Sequence, residues 1–138
     1  MSKVMIVSDS TETRAEIASH LSLIEVQIIE VASGKDVRSY VERHEPDLVI
    51  SDMQVGSMGG YAIVMDLRLE ESGGRQGHTP VLLLLDRRAD VFLARRCRAE
   101  GYLVKPISGI RLRKAVAALL EGRTFEDSAF RPIETSAR

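Results

Sequence analysis

Five short apolar runs alternate with amphipathic segments along the chain. The runs are rich in Val, Ile and Leu, and the uninterrupted apolar sequence of the first, third and fourth runs indicates buried strands. They lie at residues 3–7, 26–31, 48–52, 81–85 and 102–104. Between them, apolar residues recur at helical spacing, as Ile17, Ala18 and Leu21 do. The pattern predicts five helices, of which the fourth, near Arg88 to Arg98, is short.

Strands that alternate with helices predict βαβ units around a parallel sheet. For five units we expect an α/β flavodoxin-like (βα)5 sandwich with a parallel five-stranded sheet in the order 2-1-3-4-5. In that order the first and third strands are neighbours, so Asp9 and Asp52 project into one crevice, and Lys105 arrives from the last strand. The pattern stops past Gly122. We therefore predict one domain over residues 1–122 and a loosely held tail over 123–138.

Composition narrows the function classes. A chain of 138 residues with 44% hydrophobic and 28% charged residues is typical of one globular domain. A formal net charge of -1 gives no overall attraction to nucleic acid or to an anionic membrane. The single cysteine, Cys97, excludes an internal disulfide, and no apolar run has the length of a secretory signal or a membrane span. We expect a cytoplasmic protein.

The end of the third apolar run carries the most informative residue. Asp52 stands where the strand ends, and ligands of open α/β sheets bind outside the carboxyl ends of the strands. The glycines that follow, up to Gly60, indicate a loop with unusual dihedrals or a close approach. Two interpretations remain open from the residues alone: Asp52 does chemistry, or it caps the helix that begins near Gly60.

Together, these features resemble the receiver domain of two-component response regulators. The resemblance covers roughly residues 3–121 and rests on the order and spacing of Asp9, Asp52, Met58, Gly60, Tyr102, Lys105 and Pro106. It implies a stand-alone signalling switch or adaptor rather than an enzyme acting on small molecules. It also implies that Asp52 accepts a phosphoryl group from a sensor histidine kinase or a phosphotransfer protein.

The resemblance implies a metal site as well. Mg²⁺ would be held by Asp9, Asp52 and the backbone carbonyl of Gln54, with Ser8 bound through a water. Such an ion takes oxygen ligands and keeps several waters. Lys105 would pair with a phosphoryl oxygen as a compact point charge.

Three positions depart from the family pattern. Ser8 stands where a second acid is usual, so we expect Mg²⁺ to bind weakly. Leu85, followed by Asp86, stands where the family has a hydroxyl that binds the phosphoryl group and draws the neighbouring loop inward. The hydroxyl-to-aromatic switch of the family therefore lacks its hydroxyl here, although its aromatic residue, Tyr102, is present. Gly56 replaces a common proline in the loop after Asp52.

Two other functions stay open. The first is a phosphorylation-independent pseudo-receiver that acts as a protein-binding adaptor, which the residues Ser8 and Leu85 would suit. The second is a flavodoxin, because a hydroxyl-rich loop after the first strand can bind a phosphate at a helix N-terminus. Against the flavodoxin, the chain has no Trp and only 4% aromatic residues.

An arginine cluster surrounds the fourth helix. Its members are Arg87, Arg88, Arg95, Arg96 and Arg98. They form either a solvated helix face or a docking surface for an acidic downstream protein, whose identity the sequence does not reveal. No DNA-binding output domain is recognisable after residue 122, so we expect signalling by protein contact, without direct binding to nucleic acid or membrane. Dimerisation through the face of the fourth helix, fifth strand and fifth helix is compatible with the family.

Overall fold

The computed structural model describes residues 1–74 and 77–130. The strands are β1 (Ser2–Val7), β2 (Val26–Val31), β3 (Leu48–Asp52), β4 (Val81–Leu85), β5 (Gly101–Val104) and β6 (Phe125–Glu126). The helices are α1 (Thr11–Leu21), α2 (Val37–His44), α3 (Gly60–Ser72), α4 (Val91–Arg96) and α5 (Gly109–Leu120). Short 3-10 turns at Gly34–Asp36, Arg88–Asp90 and Ser128–Phe130 complete the description.

The strands form one parallel sheet in the order β2-β1-β3-β4-β5-β6. The predicted flavodoxin-like arrangement and the order 2-1-3-4-5 are confirmed. All residues of β3 and β4 are buried, which agrees with their uninterrupted apolar sequences. The fourth helix has only six residues, Val91–Arg96, and is therefore shorter than the predicted span of Arg88 to Arg98.

The sheet separates two apolar cores. On one side, Met5 and Leu83 pack with α2, α3 and α4. On the other side, Ile6 and Leu82 pack with α1 and α5. Because neighbouring residues of each central strand point to opposite faces, every strand position has a core to fill. The polar residues at the carboxyl edge of the sheet therefore follow strands that are packed on both faces.

The tail differs from its prediction. The sequence predicts a loosely held segment from residue 123, but residues 125–126 form β6 beside β5, and Asp127 is fully buried. Two residues are too few to give a periodic pattern, so the strand depends on the edge of β5 rather than on local propensity. Residues 131–138 of the predicted tail lie outside the described part of the chain. No helix within the described residues combines the length and apolarity needed to span a membrane.

Candidate functional site at the carboxyl edge of the sheet

The carboxyl edge of the sheet brings together residues that are far apart in sequence. Strands β1 and β3 are paired through Val7 and Ser51, so the residues that follow them emerge side by side. Ser8 follows β1, Asp52 ends β3 and Lys105 follows β5. The structure thus unites three of the predicted site residues around one carboxylate.

Asp52 is held by a buried hydroxyl. Its side chain is almost completely enclosed, at 4% exposure, and the Ser8 hydroxyl donates to its Oδ2 at 2.6 Å. Ser8 itself has no exposed surface, and its Oγ accepts a hydrogen bond from the Ser10 N–H at 3.1 Å. The hydroxyl therefore has both a donor and an acceptor partner, and it fixes the orientation of the Asp52 carboxylate.

Lys105 neutralises the other carboxylate oxygen. Its Nζ lies 2.8 Å from Asp52 Oδ1 and 3.1 Å from Asp86 Oδ1, so one ammonium is shared by two acids. Burial lowers the pKa of Lys105, but contacts with Asp52 and Asp86 outweigh it, and the pKa of the ammonium is raised above its ordinary value. The ammonium is therefore charged at every physiological pH.

One buried oxygen of this group has no hydrogen-bond donor. Within the described residues, Asp52 Oδ1 receives no hydrogen bond, although it lies close to the Lys105 charge. Buried acceptors are normally satisfied, and an exception indicates a functional or strained position. Oδ1 is therefore buried and is held by the Lys105 charge rather than by a hydrogen bond.

Asp9 lies at the mouth of the crevice. It is exposed, and its Oδ2 accepts a hydrogen bond from the Gly56 N–H at 3.0 Å. This contact gives a physical reason for Gly56, because a proline at this position has no N–H to donate. Gln54, whose carbonyl is the third predicted metal ligand, is exposed in the same loop.

The oxygen atoms of these residues are of the type that binds a hard cation. Carboxylates, a carbonyl and a hydroxyl are all oxygen ligands, and Mg²⁺ is often held by one or two carboxylates completed by water and phosphate. Asp9 is exposed beside this group and adds a second carboxylate. The described residues contain no group of three or more acidic, His or Cys side chains arranged as a complete metal cage. The residues are therefore suitable ligands for Mg²⁺, to which they contribute the negative charge of two carboxylates, Asp9 and Asp52.

Asp52 does not cap the following helix. The residue before α3 is Gly59, and no side chain supplies the cap. Instead, the start of α3 packs closely against the end of β3, where the Gly60 N–H donates to the Met53 carbonyl at 2.9 Å. A Cβ at residue 60 would lie 2.7 Å from the Asp52 carbonyl oxygen. Gly60 therefore permits the close approach that the sequence indicated.

The two predicted switch residues are both buried in the sheet. Leu85 has no exposed surface and belongs to the core beneath α3 and α4. Tyr102 is also buried, and its hydroxyl donates to the Phe130 carbonyl at 3.3 Å. The structure thus leaves no hydroxyl at residue 85 and attaches the Tyr102 hydroxyl to the C-terminal segment, Phe125–Phe130.

The arginine cluster is not one uniform face. Arg87 pairs with the buried Asp90 at 3.0 Å. Arg88 lies over the Phe130 ring at 5.3 Å, and Arg95 pairs with Glu126 at 3.3 Å. Arg96 and Arg98 are exposed. Part of the predicted docking surface is therefore covered by the chain's own C-terminal segment.

Three residues of this region were not predicted as site residues. Asp86 contacts Lys105, the Gly56 N–H holds Asp9, and Asp127 is buried against β5. The acid after the fourth strand and the glycine in place of proline were visible in the sequence as departures, but their partners depend on side-chain placement. Asp127 had no sequence signal, because its neighbours Glu126 and Ser128 form no apolar pattern.

Comparison with known proteins agrees with this geometry. Residues 4–117 match the model of the response regulator receiver domain. An uncharacterized response regulatory protein of Mycobacterium tuberculosis is 30% identical over 124 residues, which cover 86% of this chain and 90% of that protein. The chemotaxis response regulator CheY4 of Vibrio cholerae superposes with a TM-score of 0.75 at 25% identity, over 86% of this chain and 98% of CheY4.

Other relatives are longer than this chain. A probable transcriptional regulator of Porphyridium aerugineum is 27% identical over 120 residues, which make up 86% of this chain and 48% of the relative. The chain thus spans about half the length of the first curated relatives that it matches.

Proposed function

The chain belongs to the response regulator receiver domain family, and we propose that it acts in a two-component phosphorelay by accepting a phosphoryl group on Asp52. It would act in the cytoplasm, take the group from a sensor histidine kinase or a phosphotransfer protein, and signal through protein–protein contact. The observation that carries this proposal is the Asp52 carboxylate itself, which is buried, oriented by Ser8 through Oδ2 and paired through Oδ1 with the Lys105 ammonium at 2.8 Å.

The proposed step is a phosphoryl transfer between donor and carboxylate. Asp52 Oδ1 forms a bond to phosphorus while the bond from phosphorus to the donor's imidazole nitrogen breaks, and the nitrogen keeps that electron pair. The product is an acyl phosphate on Asp52. Catalysis of such a transfer depends mainly on positioning and on charge neutralisation. Ser8 would position the carboxylate through Oδ2, and Lys105 would supply positive charge by moving from Oδ1 to a phosphoryl oxygen.

We propose that Asp9, Asp52, the Gln54 carbonyl and, through water, Ser8 hold Mg²⁺. When bound, the ion supplies positive charge opposite the phosphoryl oxygens. Because Ser8 replaces an acid, the protein contributes two carboxylates, and a neutral hydroxyl already engages Asp52. Weak binding is therefore expected, with the phosphoryl oxygens completing the site.

A second candidate function rests on the same crevice. A pseudo-receiver would use the fold as an adaptor, without phosphorylation. Its support is that Asp52 is already neutralised by Lys105, that Lys105 is also held by Asp86, and that Leu85 offers no hydroxyl to a phosphoryl group. These contacts stabilise the unmodified state.

Intact-mass measurement distinguishes the two functions. The folded chain is incubated with acetyl phosphate and Mg²⁺, and a single phosphoryl adduct is expected. The adduct should vanish in Asp52→Ala and persist in Asp86→Asn, which is the matched control because Asp86 also contacts Lys105. Absence of an adduct on the folded wild type would favour the pseudo-receiver, and an adduct that survives in Asp52→Ala would place the modification elsewhere.

A further inference from the structure

The C-terminal segment, Phe125–Phe130, fills the edge of the sheet beside β5. Gly101 is paired with Phe125 and Tyr102 with Glu126 in parallel register, and the Phe125 N–H donates to the Glu100 carbonyl at 2.9 Å. The approach depends on a missing side chain, because a Cβ at residue 101 would lie 2.9 Å from the Phe125 carbonyl oxygen. An edge strand with unpaired N–H and C=O groups can pair with a further strand. In this protein, β6 of the same chain pairs with the edge of β5.

Asp127 anchors the segment inside the protein. Its side chain has no exposed surface, and its Oδ2 accepts a hydrogen bond from the Val104 N–H at 3.0 Å. Arg111 of α5 forms an ion pair with the same oxygen. Oδ1 accepts from the Ala129 N–H at 3.3 Å, which closes the turn after the strand. A buried carboxylate destabilises the fold unless it is paired with a cation and hydrogen-bond donors. Because the groups around residue 127 are two N–H donors and a guanidinium, this position favours an acid.

Two further contacts recognise the chemistry of the segment. Arg95 pairs with Glu126 at 3.3 Å, and the Arg88 guanidinium lies over the Phe130 ring at 5.3 Å. A groove of ≈ 290 Å³ remains between α4 and the segment, lined by residues of both. The side of the segment that faces α4 is therefore open to an approaching molecule.

These receiving groups form what we call the β5-edge face: Arg88, Arg95, Gly101, Val104 and Arg111. It combines main-chain pairing, a buried site for a carboxylate and a cation above an aromatic ring. Strand addition to a sheet edge is a general mode of peptide recognition, in which main-chain bonds give affinity and side-chain sites give specificity.

We propose that the β5-edge face is the surface at which this protein recognises an extended acidic and aromatic segment of a partner protein, and that the C-terminal segment holds this surface in cis until such a partner displaces it. The occupant seen in the structure defines the chemistry of the partner: a strand with an acid for Arg95, an acid for the buried site beside Val104, and an aromatic ring for Arg88. The inference does not depend on phosphorylation of Asp52.

Competition between cis and trans segments tests the proposal. The full chain carrying Asp127→Asn and Phe130→Ala has a weakened segment, and the fluorescently labelled probe is a peptide with the sequence of residues 123–130. A short tether gives the cis segment an effective concentration of about millimolar. The peptide should therefore bind the weakened variant at least tenfold more tightly than it binds the wild type. A peptide in which Asp127 is replaced by Asn should bind at least tenfold more weakly.

Hydrogen exchange tests whether the segment has left the sheet, and light scattering tests whether the variant forms a dimer. The amides of Val104 and Phe125 should lose protection in the weakened variant and keep it in Ser128→Ala, a control at an exposed position of the same segment. If the double variant does not unfold cooperatively, Phe130→Ala alone replaces it. This single variant should also bind the peptide more tightly than the wild type does, by a smaller factor than the double variant.

Three results would overturn the proposal. The first is equal peptide affinity for wild type and variant, or no binding at all once protection is lost. The second is full protection in the variant, because the named contacts would then not hold the segment. The third is a dimer of the variant with Val104 protected, because the occupant would then be a second copy of the chain rather than a partner.

Discussion

Replacement of Ser8 by Asp should convert a weak metal site into a strong one and make the fold depend on the metal. In the wild type, the Ser8 hydroxyl donates to Asp52 Oδ2 at 2.6 Å inside a fully buried pair. A carboxylate at residue 8 cannot donate that hydrogen bond. It also places a second negative charge beside Asp52, within reach of the oxygens that would hold a cation.

Two magnitudes give the size of the effect. A hydrogen bond to a charged acceptor contributes about 1.5–3 kcal/mol. Two like charges about 4 Å apart at an effective dielectric of about 20 repel by roughly 4 kcal/mol before screening. Without metal, Ser8→Asp should therefore lower the free energy of unfolding by at least ~2 kcal/mol. For a domain of this size each kcal/mol corresponds to roughly 3–5 °C, so Tm should fall by about 6–10 °C.

A divalent ion should reverse the loss. The added charge should tighten Mg²⁺ binding about tenfold or more, which corresponds to ~1.4 kcal/mol. Because a ligand stabilises the folded state by RT ln(1 + [L]/Kd), concentrations of about 100 Kd should restore roughly 2.7 kcal/mol. The assay is thermal unfolding followed across a Mg²⁺ titration, with EDTA as the zero point.

The matched control is Ser8→Asn, which has the size of Asp and no charge. It should show the weak Mg²⁺ dependence of the wild type. If all three proteins respond to Mg²⁺ with the same midpoint, the crevice of Asp9, Asp52 and residue 8 does not hold the ion, and the proposed metal ligands are wrong.

Three further outcomes follow from individual contacts. Leu85→Thr should enlarge the NMR shifts that beryllofluoride and Mg²⁺ induce in β5, at a modest stability cost, because a hydroxyl bonds the phosphoryl mimic but enters an apolar site; unchanged shifts would mean that residue 85 takes no part. Arg95→Glu should speed hydrogen exchange of the β6 amides several-fold, whereas Arg96→Glu should not, because only the first removes the ion pair with the C-terminal segment; equal effects would point to net charge instead. Burial raises the pKa of the Cys97 thiol above its ordinary 9.0, so the unfolded chain loses this proton first as pH rises. Stability should therefore decline above about pH 9 by an amount that Cys97→Ala removes, and an identical decline in both proteins would exclude the thiol as its source.

The sequence predicts the parts of the fold that local pattern controls. Strand β4 is an unbroken apolar run, which suits only a sheet covered on both faces, and the structure buries every residue of it. Asp52 was identifiable because an acid at the end of such a strand stands at the edge where α/β sheets bind ligands.

Other features depend on contacts that no local pattern reveals. Strand β6 consists of two residues, and its stability comes from Asp127, which pairs with an arginine sixteen positions earlier on α5. The contact between Asp86 and Lys105 is also non-local, because the two residues are nineteen positions apart in the sequence. The sequence showed an acid without its usual hydroxyl neighbour, but only the packed side chains show which cation it meets.

The last residue of the four-residue strand β5, Val104, and the residue that follows it, Lys105, have different attachments. The Val104 amide is bound by Asp127, whereas the Lys105 amide donates to the Leu85 carbonyl at 2.8 Å and the Lys105 ammonium reaches Asp52. Coupling between two binding equilibria is reciprocal, so each changes the other by the same factor. If Lys105 moves when the segment leaves Val104, then occupation of Asp52 and binding of the partner would each change the equilibrium of the other by the same factor.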